Sequence, residues 1–225
     1  MILMIVSYNT LPFLKLAVRS AQRHIQVDLD IWIWDNGSTD GSAEWAERNA
    51  NRFFTGENQV DGHGAALNQM VDDLHNTKPN EPVIIMDSDV EIVKPIWPAA
   101  VAMECPDMIH GCAYADFHPL PEIDKDGRRM APRVNPALAL FSTARHASYD
   151  FIPCERDGRF YDVGALHKER LGKFAVPSGV LKKSAIHYGN STWPQNGCVD
   201  KDVCDRVRQN EWIVRQRFES LNYAP

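Results

Sequence analysis

Two carboxylates stand two residues apart at the end of an apolar run. Val83, Ile84, Ile85 and Met86 lead directly into Asp87, Ser88 and Asp89. A continuous apolar run of this kind fits a strand covered on both faces. Side chains at i and i+2 of a strand project to the same side. Asp87 and Asp89 are therefore predicted to converge at the carboxyl end of a buried strand, where open α/β sheets bind ligands. Two close carboxylates repel, and a divalent cation removes that conflict. The competing reading is a strand that runs out into an acidic turn, which is the commoner case for an isolated Asp-x-Asp. His187, in the strand-like stretch Ala185-Ile186-His187-Tyr188, is a possible third ligand. A lone strand histidine is usually structural. With Asp87 and Asp89, a neutral imidazole would suit Mn²⁺ or Mg²⁺, with phosphate oxygens filling the remaining positions.

Three further segments bear on chemistry. Asp35 to Ser42 (Asp-Asn-Gly-Ser-Thr-Asp-Gly-Ser) follows one apolar run and precedes a helical pattern. Asp35 at a strand end is placed to accept an N–H from a nucleobase edge. Turn chemistry and an N-cap at Asp40 or Ser42 explain the same residues at least as well. Gly62-His63-Gly64 opens another helical pattern without the third glycine or the later acidic residue of a dinucleotide fingerprint, which argues against a Rossmann dinucleotide site. A helix start there can still face a phosphate, and His63 reads as a turn or surface histidine. Asp162 follows Phe160 and Tyr161 and precedes a helical stretch ending at Gly172. It is either an N-cap, worth about 1 kcal/mol, or a general base aimed at an acceptor hydroxyl. Asp150 and Glu155 are weaker candidates for that role. Asp124-Lys-Asp-Gly127 lacks the later ligands of a calcium loop and reads as a turn.

These residues need elements to hold them. Residues 2–6 read as a first strand and 11–24 as a helix with Pro12 in its first turn. Residues 30–35 form a second strand, 42–51 a short helix, Phe53 and Phe54 a third strand, 65–75 a helix and 83–87 a fourth strand. This alternation predicts a mostly parallel sheet with helices on its faces. The second half is less regular. An irregular loop or hairpin is expected over 117–131, strands at 136–141 and 185–188, a helix over 162–172 and a charged helix over 200–218. No linker-like break divides the 225 residues, so one domain is expected.

Composition narrows the class. The chain is 44% hydrophobic and 24% charged, which is ordinary for a globular protein, and its net charge of −6 argues against a whole-surface polyanion binder. Residues 1–6 are apolar but short and lack a basic region before them, so they read as a strand and not a signal peptide. No run approaches the roughly 18–20 apolar residues needed to cross a bilayer. Five cysteines, an odd count with no Cys-x-x-Cys pair, suggest neither a disulfide framework nor a zinc site, and a reducing cytoplasm is the expected compartment.

In combination, four segments resemble a glycosyltransferase of the GT-A fold, similar to family 2. They are Val6-Ser-Tyr-Asn9, Trp34 to Ser42, Gly62 to Asn68 and Val83 to Asp89, in that order. The resemblance is strong over residues 1–95 and rests on Asp162 and His187 beyond them. It implies a single α/β GT-A domain with a nucleotide-sugar half (1–95) and an acceptor half (96–225). It implies a nucleotide-diphospho-sugar donor, a UDP-sugar in many relatives, and Mn²⁺ or Mg²⁺. Ser7, Tyr8, Asn9, Gly64, Asn68 and Ser88 would line the donor site, and Asp35 would bind the base. Asp87 would contact the ribose or a metal-bound water, Asp89 would ligate the metal and His187 would complete its site. Asp162 would be the base of an inverting transfer, although Tyr161 stands where many members carry a second acid. The acceptor is left open among saccharides, small molecules, proteins and modified DNA bases. A sugar nucleotidylyltransferase ranks lower, because the loop after the first strand holds Ser-Tyr-Asn-Thr-Leu-Pro and no basic residue. A non-catalytic nucleotide-sugar-binding protein is the remaining alternative.

Overall fold

The computed structural model describes residues 1–56, 62–117, 122–124, 127–135, 137–142, 150–189 and 201–221. Its first half alternates strand and helix as the hydrophobic pattern predicts: β1 (Ile2–Ser7), α1 (Leu11–His24), β2 (Asp30–Asp35), α2 (Ser42–Asn49), β3 (Arg52–Thr55), α3 (Gly62–Thr77) and β4 (Val83–Met86). Next come β5 (Val90–Ile92), α4 (Pro98–Glu104), β6 (Cys112–Tyr114), β7 (Leu138–Phe141), β8 (Cys154–Arg156), β9 (Arg159–Tyr161) and α5 (Ala165–Leu171). The described chain closes with β10 (Ala175–Pro177), α6 (Gly179–Ser184), β11 (Ala185–His187) and α7 (Lys201–Leu221). No described helix is long and apolar enough to cross a membrane.

Seven strands form one sheet in the order β10-β6-β7-β4-β1-β2-β3. Every neighbouring pair is parallel except those of β7, which runs against both β4 and β6. The sheet is therefore mostly parallel and flanked by helices. The continuous apolar character of β1 follows from burial on both faces. Leu3 and Ile5 join the cluster that includes Leu14, Ala17 and Val18 of α1. Ile2, Met4 and Val6 join the opposite cluster with Leu67, Met70 and Leu74 of α3. The parallel register pairs Ser7 with Asp35, so the carboxyl ends of β1 and β2 lie side by side, and β4 flanks β1 on its other edge.

The 83–89 run departs from its expected form. β4 stops at Met86, and Asp87, Ser88 and Asp89 make a turn into β5, with Val90 N donating to Asp87 O at 3.2 Å. The two carboxylates are brought together by a turn and not by the strand pleat. The physical reason is that Asp87 N still bonds Ala137 O next to β7, after which the chain leaves the sheet. Boundaries also moved at α3, which begins at Gly62, and at α5, which begins at Ala165.

A two-stranded ribbon outside the main sheet matters for the site. β5 pairs antiparallel with β11, which sets His187 opposite Val90. Two clamps hold this ribbon. Glu91, 2% exposed, accepts from Tyr188 Oη (2.7 Å) and from Arg217 Nε of α7 (2.6 Å). At the other end, Glu104 of α4 closes the start of α6, which leads into β11. Its carboxylate accepts from Ser178 Oγ at 2.6 Å, Val180 N at 3.0 Å and Gly179 N at 3.1 Å. The Ser178 hydroxyl, followed by the Val180 and Gly179 amides, holds the Glu104 carboxyl below its ordinary range. A carboxyl lowered on folding adds stability above its unfolded pKa and loses it as pH falls through the folded value. Glu104→Gln is thus expected to lower stability at neutral pH only modestly, because water screens a carboxylate this exposed. The gap from wild type should close as the medium becomes acidic, in denaturant titrations at several pH values. A gap that does not change with pH would remove the charge from the explanation.

Candidate active site

The carboxyl ends of β1, β2 and β4 carry three polar loops, and hydrogen bonds join them. Ser7 Oγ and Thr10 Oγ1 share a hydrogen bond of 3.1 Å, and Thr10 Oγ1 donates to Ser88 Oγ at 3.0 Å. All three side chains are buried. Ser7 and Ser88 therefore turn their hydroxyls inward and brace the Asp87–Asp89 turn against β1. Asn9 takes the left-handed conformation (φ 51°), which asparagine tolerates better than most residues. Its backbone N donates to Ser38 Oγ at 2.9 Å, and its Oδ1 accepts from Thr39 N at 2.7 Å. This ties the loop after β1 to the loop after β2.

Asp35 is 1% exposed. Its Oδ2 accepts from Gly37 N and Ser38 N (3.0 and 2.8 Å), and its Oδ1 accepts from Ser38 Oγ at 2.5 Å. The turn chemistry weighed for this segment is present: the carboxylate builds the loop that follows it. Asp40 accepts from Leu11 N at 2.9 Å and, through Oδ1, from Ser42 N and Oγ, so it satisfies the first N–H of α1 and of α2, while the N-cap of α2 is Gly41 and neither Asp40 nor Ser42.

Gly64 and Asn68, one turn apart on α3, face the chain at Phe151. A Cβ on Gly64 would lie 2.3 Å from Phe151 O, and Asn68 Oδ1 accepts from Phe151 N at 2.9 Å. The glycine is required there by a close backbone approach. Asp150, considered as a base, accepts from Arg170 Nη2 at 3.3 Å; Glu155 sits exposed on β8. Asp124 accepts the Arg128 amide and side chain at a turn. Residues 190–200, which include Trp193, lie outside the described residues.

Among the described residues, one group of three metal-type side chains comes together: one ligand atom from each of Asp87, Asp89 and His187, all within 4.8 Å of one another. His187 Nε2 lies 3.2 Å from Asp89 Oδ1 and 3.8 Å from Asp87 Oδ2. Tyr188 N donates to Asp89 O at 3.0 Å and fixes the ribbon to the turn. On the other side, His63 Nε2 approaches Asp87 Oδ1 at 3.5 Å. Neither atom has a hydrogen-bond partner among the described residues, and both are buried.

The electrostatics favour a cation. Burial pushes the Asp87 carboxyl above its ordinary range, and the Asp89 charge adds to this, against the pull of His63, His187 and Arg133. Burial alone would lower the His187 imidazole, but the Asp89 hydrogen bond and the charges of Asp89 and Asp87 raise it. A carboxyl raised by burial, a second carboxylate and an imidazole nitrogen form a donor set for Mn²⁺ or Mg²⁺.

Asp162 lies three residues ahead of α5, whose N-cap is Gly164. Asp162 O accepts from Ala165 N, its Oδ1 from Val163 N, and its Oδ2 pairs with Arg133 Nη1. From the sequence, His63 reads as a turn or surface residue. Position at a glycine-flanked helix start was the only local signal for His63, and Arg133 had none.

Residues 2–112 match the family model described as Glycosyl transferase family 2. No curated protein matches the chain. Among solved structures, mannosyltransferase PcManGT from Pyrobaculum calidifontis, in complex with GDP-Man and Mn²⁺, is 13% identical with a TM-score of 0.42. The match covers 98% of this chain and 73% of that one. S. aureus TarS is 15% identical with a TM-score of 0.44, over 77% of this chain and 38% of that one. The TarS 1-349 structure in complex with UDP is 17% identical with a TM-score of 0.39, over 64% and 46%. This chain thus spans less than half the length of the TarS chains. Over residues 2–112, just under half of its length, the chain is similar to glycosyl transferase family 2.

Proposed function

We propose that the protein transfers a sugar from a nucleotide-diphospho-sugar, a UDP-sugar in the first instance, to an acceptor hydroxyl with inversion. The observation that carries this reading is the convergence of Asp87, Asp89 and His187 at the end of β4 in a chain matched to a glycosyl transferase family. Asp89 and His187 would hold Mn²⁺ or Mg²⁺ directly, with Asp87 beside them towards the ribose. When bound, the cation supplies Lewis-acid stabilisation of charge on the leaving diphosphate. The loops after β1 and β2, braced by Asn9 and Asp35, would form the wall against which the nucleoside lies. Asp162 would take the proton from the acceptor hydroxyl as its oxygen attacks the anomeric carbon. The new C–O bond forms on the face opposite the breaking bond to the diphosphate, and nucleoside diphosphate leaves.

The test is incubation with a panel of UDP- and GDP-sugars and Mn²⁺, following release of nucleoside diphosphate. Release from a UDP-sugar that stops with chelator is expected. Tight UDP binding with neither transfer nor hydrolysis of any donor would make the chain a binding protein instead.

A further inference from the structure

Arg133 lies where the two halves of the proposed reaction meet. Its strap begins beside β9, where Ala131 N donates to Phe160 O, and passes α5, where Val134 N donates to Gly164 O. It ends where Ala137 O accepts from Asp87 N. Arg133 thus pairs with Asp162 on one side, and the strap that carries it is bonded to the Asp87 amide on the other. Nη1 is bound to Asp162, and both side chains are mostly buried, at 20% and 29% exposed. Nε is buried and has no acceptor among the described residues. A fixed cation on the strap bonded to the Asp87 amide works against a metal bound alone. The arrangement makes sense once an anion with several oxygens is also present.

We propose that Arg133 is a diphosphate-binding and base-positioning residue, holding Asp162 through Nη1 and offering its remaining N–H groups to the donor's diphosphate. Five donors in a rigid planar fork suit such bridging, and an ammonium would not reproduce it. One side chain would thus set the distance between the proton acceptor and the leaving group. The inference rests on the reading of this site as a diphosphate site.

The test uses binding, with inorganic pyrophosphate as the probe, so that base identity does not enter. In calorimetric titrations of the whole chain at fixed Mg²⁺, Arg133→Gln is expected to weaken pyrophosphate binding at least tenfold, and Arg133→Lys to recover part of the loss. Mg²⁺ titrated alone should bind Arg133→Gln as tightly as wild type or more tightly, because an opposing charge is gone. A merely structural arginine would weaken both ligands together and lower Tm, and that result would overturn the proposal. Unchanged pyrophosphate binding in Arg133→Gln would overturn it while leaving the diphosphate site standing. Wild-type protein that binds no pyrophosphate with Mg²⁺ would overturn both.

Discussion

Asp89→Ala is expected to abolish metal-dependent turnover, a loss of about 10²–10³-fold if the ligand contributes as much as a preorganised transition-state contact. Asp89 is buried, and its Oδ1 faces His187 Nε2 at 3.2 Å. Removing the carboxylate deletes one proposed ligand and takes away the partner that raises the His187 imidazole. The ribbon should survive, because Tyr188 N bonds the backbone oxygen of residue 89 and β5 pairs with β11 through the backbone. The check is Mn²⁺ titration beside donor turnover on protein of unchanged Tm. Activity near the wild-type level would make the metal assignment wrong.

The second large effect concerns Asp162. Asp162→Asn keeps the side chain's shape and one oxygen, which can retain either the Arg133 or the Val163 N–H bond but not both, so Tm is measured beside the rates. It removes the group that would take up the acceptor's proton, a function worth 10²–10⁴-fold in rate as an order of magnitude. Transfer should fall by about that factor while donor affinity stays within about twofold. Steady-state kinetics on both substrates, with separate donor titrations, measure the two quantities. A large loss of donor binding would show that Asp162 holds the structure and not the proton.

The two variants probe residues read from the sequence by different means. Asp89 was legible because an apolar run ending in Asp-Ser-Asp is a local pattern. Its geometry was not, since the pleat argument assumed a strand that stops at Met86. The same limit applies to Gly64 and Asn68. Their spacing puts them on one face of α3, but only the folded chain shows that this face receives the backbone at Phe151. Asp35 was legible both as a ligand and as a turn residue, and its three hydrogen bonds to Gly37 and Ser38 display the turn.

By itself the sequence determined the parallel half of the fold. Strands buried on both faces read as unbroken apolar runs, and helices covering them read as one-sided stripes, so β1 to β4 and their helices follow from periodicity. It also determined that Asp87 and Asp89 are neighbours, because covalent spacing guarantees it. Tertiary structure alone decided what meets them. His187 arrives from the far end of the chain because β11 pairs with β5, and His63 because α3 packs on β1, the strand next to β4. These contacts depend on backbone hydrogen bonds and packing between distant segments, and no local pattern of side chains encodes a partner that far away.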